Sequence, residues 1–540
     1  MSNAASIPSA RIPAPAAPSA PAGAMAEEAV PTRRLVAFMF MVLGMFMAIL
    51  DIQIVSASLA EIQAGISASA DEIPWVQTSY LIAEVIMIPL SGYLSRALST
   101  RYLFVISAAG FTVMSVMCST ATSIEEMIVW RALQGFIGGG MIPTVFASAF
   151  TIFPPSKRPV ITPLIGLVAT LAPTIGPTVG GYLTDLFSWH WLFLINVVPG
   201  TVVTIVAWFM VDFDKPDFKL LGHFDWPGFL TMAAFLGTLE FVLEEGPTDN
   251  WFDSDVITAA ALVCAVACVL FFYRVFTAKE PVVNLSVFSN RNFWTGAMFS
   301  FVMGVGLYGL TYLYPVYLAR VRGYSALQIG ETMFVTGLCM FFMGPISGRL
   351  MRKIDPRIMI ATGFIGFAVG TWQASLITKD WDFNELLIPQ ILRGVSLMLV
   401  MIPITNTALG TMAPAKMKDA SGLFNLTRNL GGAVGLAVIN TLLNKRLDLH
   451  LARLHEQVSW GRTAAEETLT NMTAQMSRFG SDAALAATKQ LTGMVRTQAV
   501  VMSIADVFLA LTVLFVAIAL MAPIMKRPNL APGGGGGGGH

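Results

Sequence analysis

Runs of about twenty consecutive apolar residues recur along this chain, separated by short polar breaks. Each run is long enough to cross roughly 30 Å of hydrocarbon as a helix, the form in which a lone segment satisfies its own backbone. They fall at 35–57, 74–96, 102–121, 125–152, 160–184 and 190–211, then at 226–245 and 255–277. The remainder lie at 294–319, 327–351, 357–378, 384–412, 418–443 and 495–523. The spacing predicts about fourteen membrane-crossing helices. Because the runs are continuously apolar rather than alternating, a membrane β-barrel is excluded. The expected fold class is an all-α polytopic membrane protein. Only 12% of the 540 residues are charged, too few to solvate the surface of a water-soluble protein of this length. With 33 basic and 33 acidic residues, net charge singles out no nucleic acid as partner.

The positions of the charges carry more information than their sum. If the N-terminus lies in the cytoplasm, the loops on that side hold Arg33, Arg34, Arg96, Arg101, Lys157, Arg158, Lys215 and Lys219, and further on Arg352, Lys353, Lys416 and Lys418. The opposite loops are mostly acidic or neutral, so N- and C-termini are both expected to be cytoplasmic. One long outer segment, 445–494, carries basic residues, but long loops cross largely regardless of charge. Leu447, Leu451 and Leu454 have helical spacing there, and a second helix is expected from about Asp482, giving a hairpin on or above the membrane. Residues 1–34 read as a disordered cytoplasmic tail, and 526–540 as a second tail ending in a tag remnant.

An internal repeat organises the rest. Pro89-Leu-Ser-Gly-Tyr-Leu-Ser-Arg96 matches Pro345-Ile-Ser-Gly-Arg-Leu-Met-Arg352, and Arg131 followed by Met141-Ile-Pro143 matches Arg393 followed by Met401-Ile-Pro403. The order is the same in both, which implies two six-helix halves, 35–211 and 281–525, with two helices inserted at 212–280.

Several stretches carry a family resemblance. They are Leu50-Asp-Ile-Gln-Ile-Val-Ser-Ala-Ser-Leu59, Arg131-Ala-Leu-Gln-Gly135 with Gly138-Gly-Gly140, and Ala172-Pro-Thr-Ile-Gly-Pro-Thr-Val-Gly-Gly181. To these add Trp189-His-Trp-Leu-Phe-Leu-Ile-Asn196 and Asn425-Leu-Thr-Arg-Asn-Leu-Gly-Gly432. Over residues 35–525 the chain resembles the fourteen-helix drug:proton antiporters of the major facilitator superfamily, of the EmrB/FarB type. The resemblance implies a proton-driven exporter of amphipathic drugs or other toxic organic compounds, fatty acids and weak acids among them. It also implies an inner-membrane location, an EmrA-like periplasmic adaptor and a TolC-like outer-membrane channel. There is one departure. Where the family's loop motif reads Gly-x-Leu-Ala-Asp-Arg-x-Gly, this chain has Gly92-Tyr-Leu-Ser-Arg-Ala-Leu-Ser99, which puts the ion pair usually made by that Asp in doubt.

Charges inside the membrane are costly, about 2.5–3.5 kcal/mol for an Asp at mid-depth, and persist with a partner or a task. Asp51, Glu84 and Arg131 fall at such depths, and two readings are open. In one, Asp51 and Glu84 bind protons and cationic or polar substrate groups while Arg131 tunes them; in the other Asp51 and Arg131 form a fixed ion pair between helices. Glu240, in the seventh span, either faces a groove or lies near the hydrated outer surface. Gln53 follows Asp51 where the family has Thr. Arg393, Asn406, Asn425, Arg428 and Asn429 give the C-terminal half a polar, net positive interior, suited to anionic or weakly acidic amphiphiles or to helix-helix hydrogen bonding. Tyr308, Tyr312 and Gln373 either complete an aromatic and polar substrate cavity or, for the tyrosines, anchor helices at the membrane interface. In the antiporter motif, Gly176, Gly180 and Gly181 permit close helix approach, while Pro173 and Pro177 remove backbone donors and bend the helix.

Nothing competes as an enzyme site. His190, His223, His450 and His455 lack metal-binding spacing, and no phosphate-binding Gly-x-x-x-x-Gly-Lys occurs. The four cysteines lie in apolar segments and are read as packing residues. No metal, cofactor or enzymatic activity is expected, and transport energy should come from an ion gradient. The alternatives are a proton-coupled uptake permease and a non-transporting membrane sensor.

Overall fold

The computed structural model describes residues 30–526 apart from 70–71, 155–156 and 459–460. Most of the expected N-terminal tail (1–29) and nearly all of the expected C-terminal tail (527–540) therefore lie outside the described residues. The described residues begin with α1 (Thr32–Ala57), α2 (Leu59–Ile66), α3 (Trp75–Leu98) and α4 (Thr100–Ser119). Next come α5 (Ile124–Gly138), α6 (Met141–Ile152), α7 (Arg158–Leu186), α8 (Trp191–Leu194) and α9 (Val197–Met210). Two helices follow, α10 (Trp226–Glu245) and α11 (Asp255–Thr277). The chain continues with α12 (Arg291–Arg320), α13 (Ala326–Leu350), α14 (Pro356–Ala374) and α15 (Phe383–Gly410). It finishes with α16 (Met417–Gln457), α17 (Thr463–Gln475) and α18 (Ala483–Leu520).

Among the described residues, eleven helices or helix pairs are long and apolar enough to cross a membrane. The three other expected spans fall on α7, α14 and α16. Two expected spans are each broken once. The run 125–152 divides into α5 and α6 at Gly139-Gly140, and 190–211 divides into α8 and α9 at Ile195-Asn196. The second break matters for the site, since it turns the Asn196 amide into the bundle.

Helix starts are set by local chemistry. Ser325 and Gln328 form a capping box at α13, and Asp382 and Glu385 form one at α15. Outside the membrane, the Tyr324 hydroxyl and the Phe383 N–H both donate to Asp382 and hold its carboxyl below the ordinary range.

The expected outer hairpin is more helical than the apolar runs suggested. α16 continues well past the apolar run to Gln457, and α18 begins at Ala483. The two helices are joined by His450 Nε2 to Asp506 Oδ2 at 2.9 Å and by Arg446 to the same oxygen at 3.5 Å. α17 packs against α18 and was not foreseen. Of the two helices following α9, α11 turns most of its surface outward. α10 lies beneath it and touches both α3 and α16.

Candidate functional site

Two polar assemblies lie inside the bundle, one sealed and one open. The sealed one is centred on Asp51 of α1 and Arg131 of α5, whose side chains are both 0% exposed. Arg131 Nη1 donates to Asp51 Oδ2 at 2.7 Å and to Gln134 Oε1 at 2.7 Å, and Nε donates to the Val76 carbonyl at 3.1 Å. Asp51 Oδ1 accepts from Asn196 Nδ2 at 2.6 Å, and Gln134 Nε2 donates to Ser115 Oγ at 2.8 Å. The guanidinium sits 4.2 Å from the Tyr80 ring centroid, a cation–π contact that supports a charge with no water around it. Helices α1, α3, α4, α5 and the start of α9 are thus tied through one ion pair.

Tyr80 connects this knot to the open assembly. Tyr80 and Glu84 are one turn apart on α3 and share a face. Glu84 is 3% exposed, yet it lines a central cavity of about 510 Å³. The apolar part of the lining includes Ile49, Ile52, Leu81, Leu243, Leu307 and Val316. The polar part is Gln53, Ser56, Gln77, Tyr308, Thr311, Tyr312, Asn429 and Asn440, with Glu84, Glu240 and Glu244 as acids and Arg320 and Arg428 as bases. A concave surface that is mostly apolar, with a few convergent polar groups, is the form of a small-molecule site.

The cavity reaches Ala319 and Arg320 at the end of α12, away from the end of the bundle that carries Arg96 and Lys418. That other end is closed. Arg96 pairs with Asp419, and Lys418 pairs with Asp214. Lys418 Nζ also donates to the Ser95 carbonyl at 2.7 Å, and Ser421 Oγ donates to the Pro143 carbonyl at 2.6 Å. The departure at Arg96 therefore does not remove an ion pair from this loop; the positive charge on α3 faces a negative one on α16. Arg96→Asp would set two carboxylates together and is expected to slow transport about ten-fold, equivalent to about 1.4 kcal/mol. Exchanging the charges, with Asp419→Arg added, should recover most of that rate in a vesicle uptake assay; no recovery would mean the pair is incidental.

The residues picked out in the sequence divide between these places. Gln53, Tyr308, Tyr312, Arg428 and Asn429 line the cavity with Glu84. Gln373, Arg393, Asn406 and Asn425 do not. Gln373 is on α14, which packs against α15 and α18. Arg393 is buried beside Tyr314 and donates to Thr311 Oγ1, which stands between it and the cavity. Asn406 accepts from Thr162 at 3.2 Å, and Asn425 accepts from Arg428 at 2.7 Å while donating to the Ser421 carbonyl. Arg393 is held behind the wall, so the positive charge that the C-terminal half presents to the cavity comes from Arg320 and Arg428, while the acids come from α3 and α10. Glu240 is 6% exposed and faces the cavity, so the near-surface reading of that residue does not hold. Asp51 and Arg131 lie together behind the wall, as the ion-pair reading had them.

In the antiporter motif, a Cβ on Gly176 would overlap Gln53 of α1, and one on Gly180 would meet the Ile54 carbonyl at 3.0 Å. On α7's other side, Gly330 of α13 leaves room for Thr178. Pro177 lines the cavity, Gly181 is half-buried on the same helix, and the Pro173 side chain lies outside the described residues. α7 is thereby pressed between α1 and α13. Tyr80, Gln134, Ser115 and Asn196 were not singled out. Gln134 and Asn196 stand inside quoted motifs, and Tyr80 could have been found as the residue one turn before Glu84.

The family model of the Major Facilitator Superfamily matches residues 41–436. The colistin resistance protein EmrB of Acinetobacter baumannii is 41% identical over 490 residues, covering 91% of this chain and 96% of that protein. The multidrug export protein EmrB of Escherichia coli K12 is 29% identical over 494 residues, covering 91% of this chain and 95% of that protein. Among solved structures, the human organic anion transporter MFSD10 superposes with a TM-score of 0.55 at 14% identity, covering 90% of this chain and 99% of that one, a likeness of fold alone. The chain belongs to the Major Facilitator Superfamily, in its EmrB-like branch, and is a multi-pass inner-membrane transporter rather than an enzyme.

Proposed function

We propose that this protein exports amphipathic organic compounds, drugs among them, in exchange for protons and by alternating access. The observation that carries the reading is Glu84, a carboxylate set in the wall of an otherwise mainly apolar cavity that is closed at the Arg96 and Lys418 end. The basic loops favour a cytoplasmic location for that end and for both termini, so this is an outward-open form. From here a proton arriving from outside neutralises Glu84 and weakens its hold on a polar substrate group, which leaves outward. The halves then rock about α7 and α13, the Arg96–Asp419 and Lys418–Asp214 pairs part, and Glu84 gives its proton to the cytoplasm. Asp51 and Arg131 act by holding Tyr80 and α3 in place, with the pair as a second station for charge. Names among the relatives, multidrug export and colistin resistance, agree with export of such compounds. The outer parts of α16 and α18, with α17, offer a surface for an EmrA-like adaptor leading to a TolC-like channel.

Expression in an efflux-deficient Gram-negative host tests the reading. Accumulation of at least one amphipathic dye or drug from a broad panel should fall severalfold, and a protonophore should restore it. Unchanged accumulation across the panel would refute export.

A further inference from the structure

The inserted pair of helices contributes to the cavity rather than merely separating the halves. α10 contacts α3 and α16, and its inner face presents Glu240, Leu243 and Glu244 to the central space. Glu240 and Glu244 are one turn apart, a spacing that puts Cβ atoms about 5–6 Å from each other and makes two like charges repel. Glu84 on the adjoining α3 is within electrostatic reach of Glu240. None of the three carboxylates has a hydrogen bond or ion pair among the described residues. Glu84 and Glu240 are nevertheless 3% and 6% exposed.

A buried carboxylate kept only for packing would be expected to have a donor beside it. These two face empty volume instead. Of the two bases on the cavity wall, Arg428 is within electrostatic reach of Glu84, and its own hydrogen bond goes to another residue. Arg428 donates to Asn425 and lies 5.3 Å from the Phe146 ring centroid, and Arg320 is at the outer end of α12. Tyr308 and Tyr312 line the same space and add aromatic faces to which an organic cation is attracted.

Resting on the exporter reading for its cavity, we propose that α10 supplies a cation-recognition subsite: Glu240, with Glu244 and Glu84, takes the positively charged head of a lipophilic organic cation, and Leu243, Leu307 and Val316 take its apolar body.

The test compares tetraphenylphosphonium with tetraphenylborate, two ions of nearly the same size and apolar surface and opposite charge. Binding of each to the purified full chain in lipid nanodiscs is read by intrinsic tryptophan fluorescence. The wild type should bind the cation at least about ten-fold more tightly than the anion, and Glu240→Gln should reduce that ratio about ten-fold. Glu240→Asp, which keeps the charge, should restore most of it and shows that the loss is not misfolding. A wild type without preference for the cation, or a ratio unchanged in Glu240→Gln, would overturn the subsite. Binding is measured without transport, so a preserved cation preference in a protein that exports nothing would support the subsite while refuting export.

Discussion

Glu84→Gln is expected to reduce proton-driven accumulation of substrate in inverted vesicles by at least about ten-fold, a loss of about 1.4 kcal/mol or more of coupling. The replacement is nearly isosteric, and Glu84 has no hydrogen bond among the described residues to lose, so packing changes little. What disappears is a titratable group that the outer space reaches through the cavity. Exchange of labelled for unlabelled substrate requires no net proton movement and should fall much less than driven accumulation. The contrast between the two assays separates coupling from binding, and equal losses in both would assign Glu84 to substrate contact alone.

Arg131→Ala is expected to be the most damaging substitution to the fold. It leaves Asp51 as a carboxylate with 0% exposure whose remaining donors are two amides, and breaking a buried pair from one side costs about 3–5 kcal/mol. The Val76 carbonyl and the Tyr80 ring lose their partner at the same time. Folded yield on fluorescence-detected size exclusion should collapse. Asp51→Asn with Arg131→Gln removes both charges together and should recover much of that yield, because neither ion is left alone. A double variant as unstable as Arg131→Ala would mean that the pair matters by more than charge balance.

Much of the helical layout was legible because crossing a membrane imposes a length and an apolar composition that short polar breaks interrupt. The runs 226–245 and 255–277 coincide with α10 and α11. The extension of α16 to Gln457 was less visible, since a helix leaving the membrane no longer needs an apolar surface and its hydropathy falls. The interior was read less completely. Asp51, Glu84 and Arg131 stood out because intramembrane charge is costly, but hydropathy does not say which way a helix is rotated when both its faces are apolar. For that reason Arg393 and Asn425 are expected at the cavity, although Arg393 bonds to Thr311 behind the wall and Asn425 is buried against Ser421 and Arg428 of its own helix. Neutral polar groups such as Tyr80, Gln134 and Ser115 carry little signal of their own and become visible only through Arg131. The pairing of Arg96 with Asp419 crosses 323 residues; the reversed sign at Arg96 was the available clue, and a search for an acidic partner in the opposite half would have used it.

Proton-driven transport through Glu84 is the central claim, and purified protein in sealed proteoliposomes addresses it most directly. An imposed pH gradient should drive dye movement by the wild type, with protons moving the opposite way, and both should stop when the gradient is collapsed or Glu84 is replaced by Gln. Dye movement that persists without the gradient, or that proceeds at the wild-type rate in Glu84→Gln, would contradict the account.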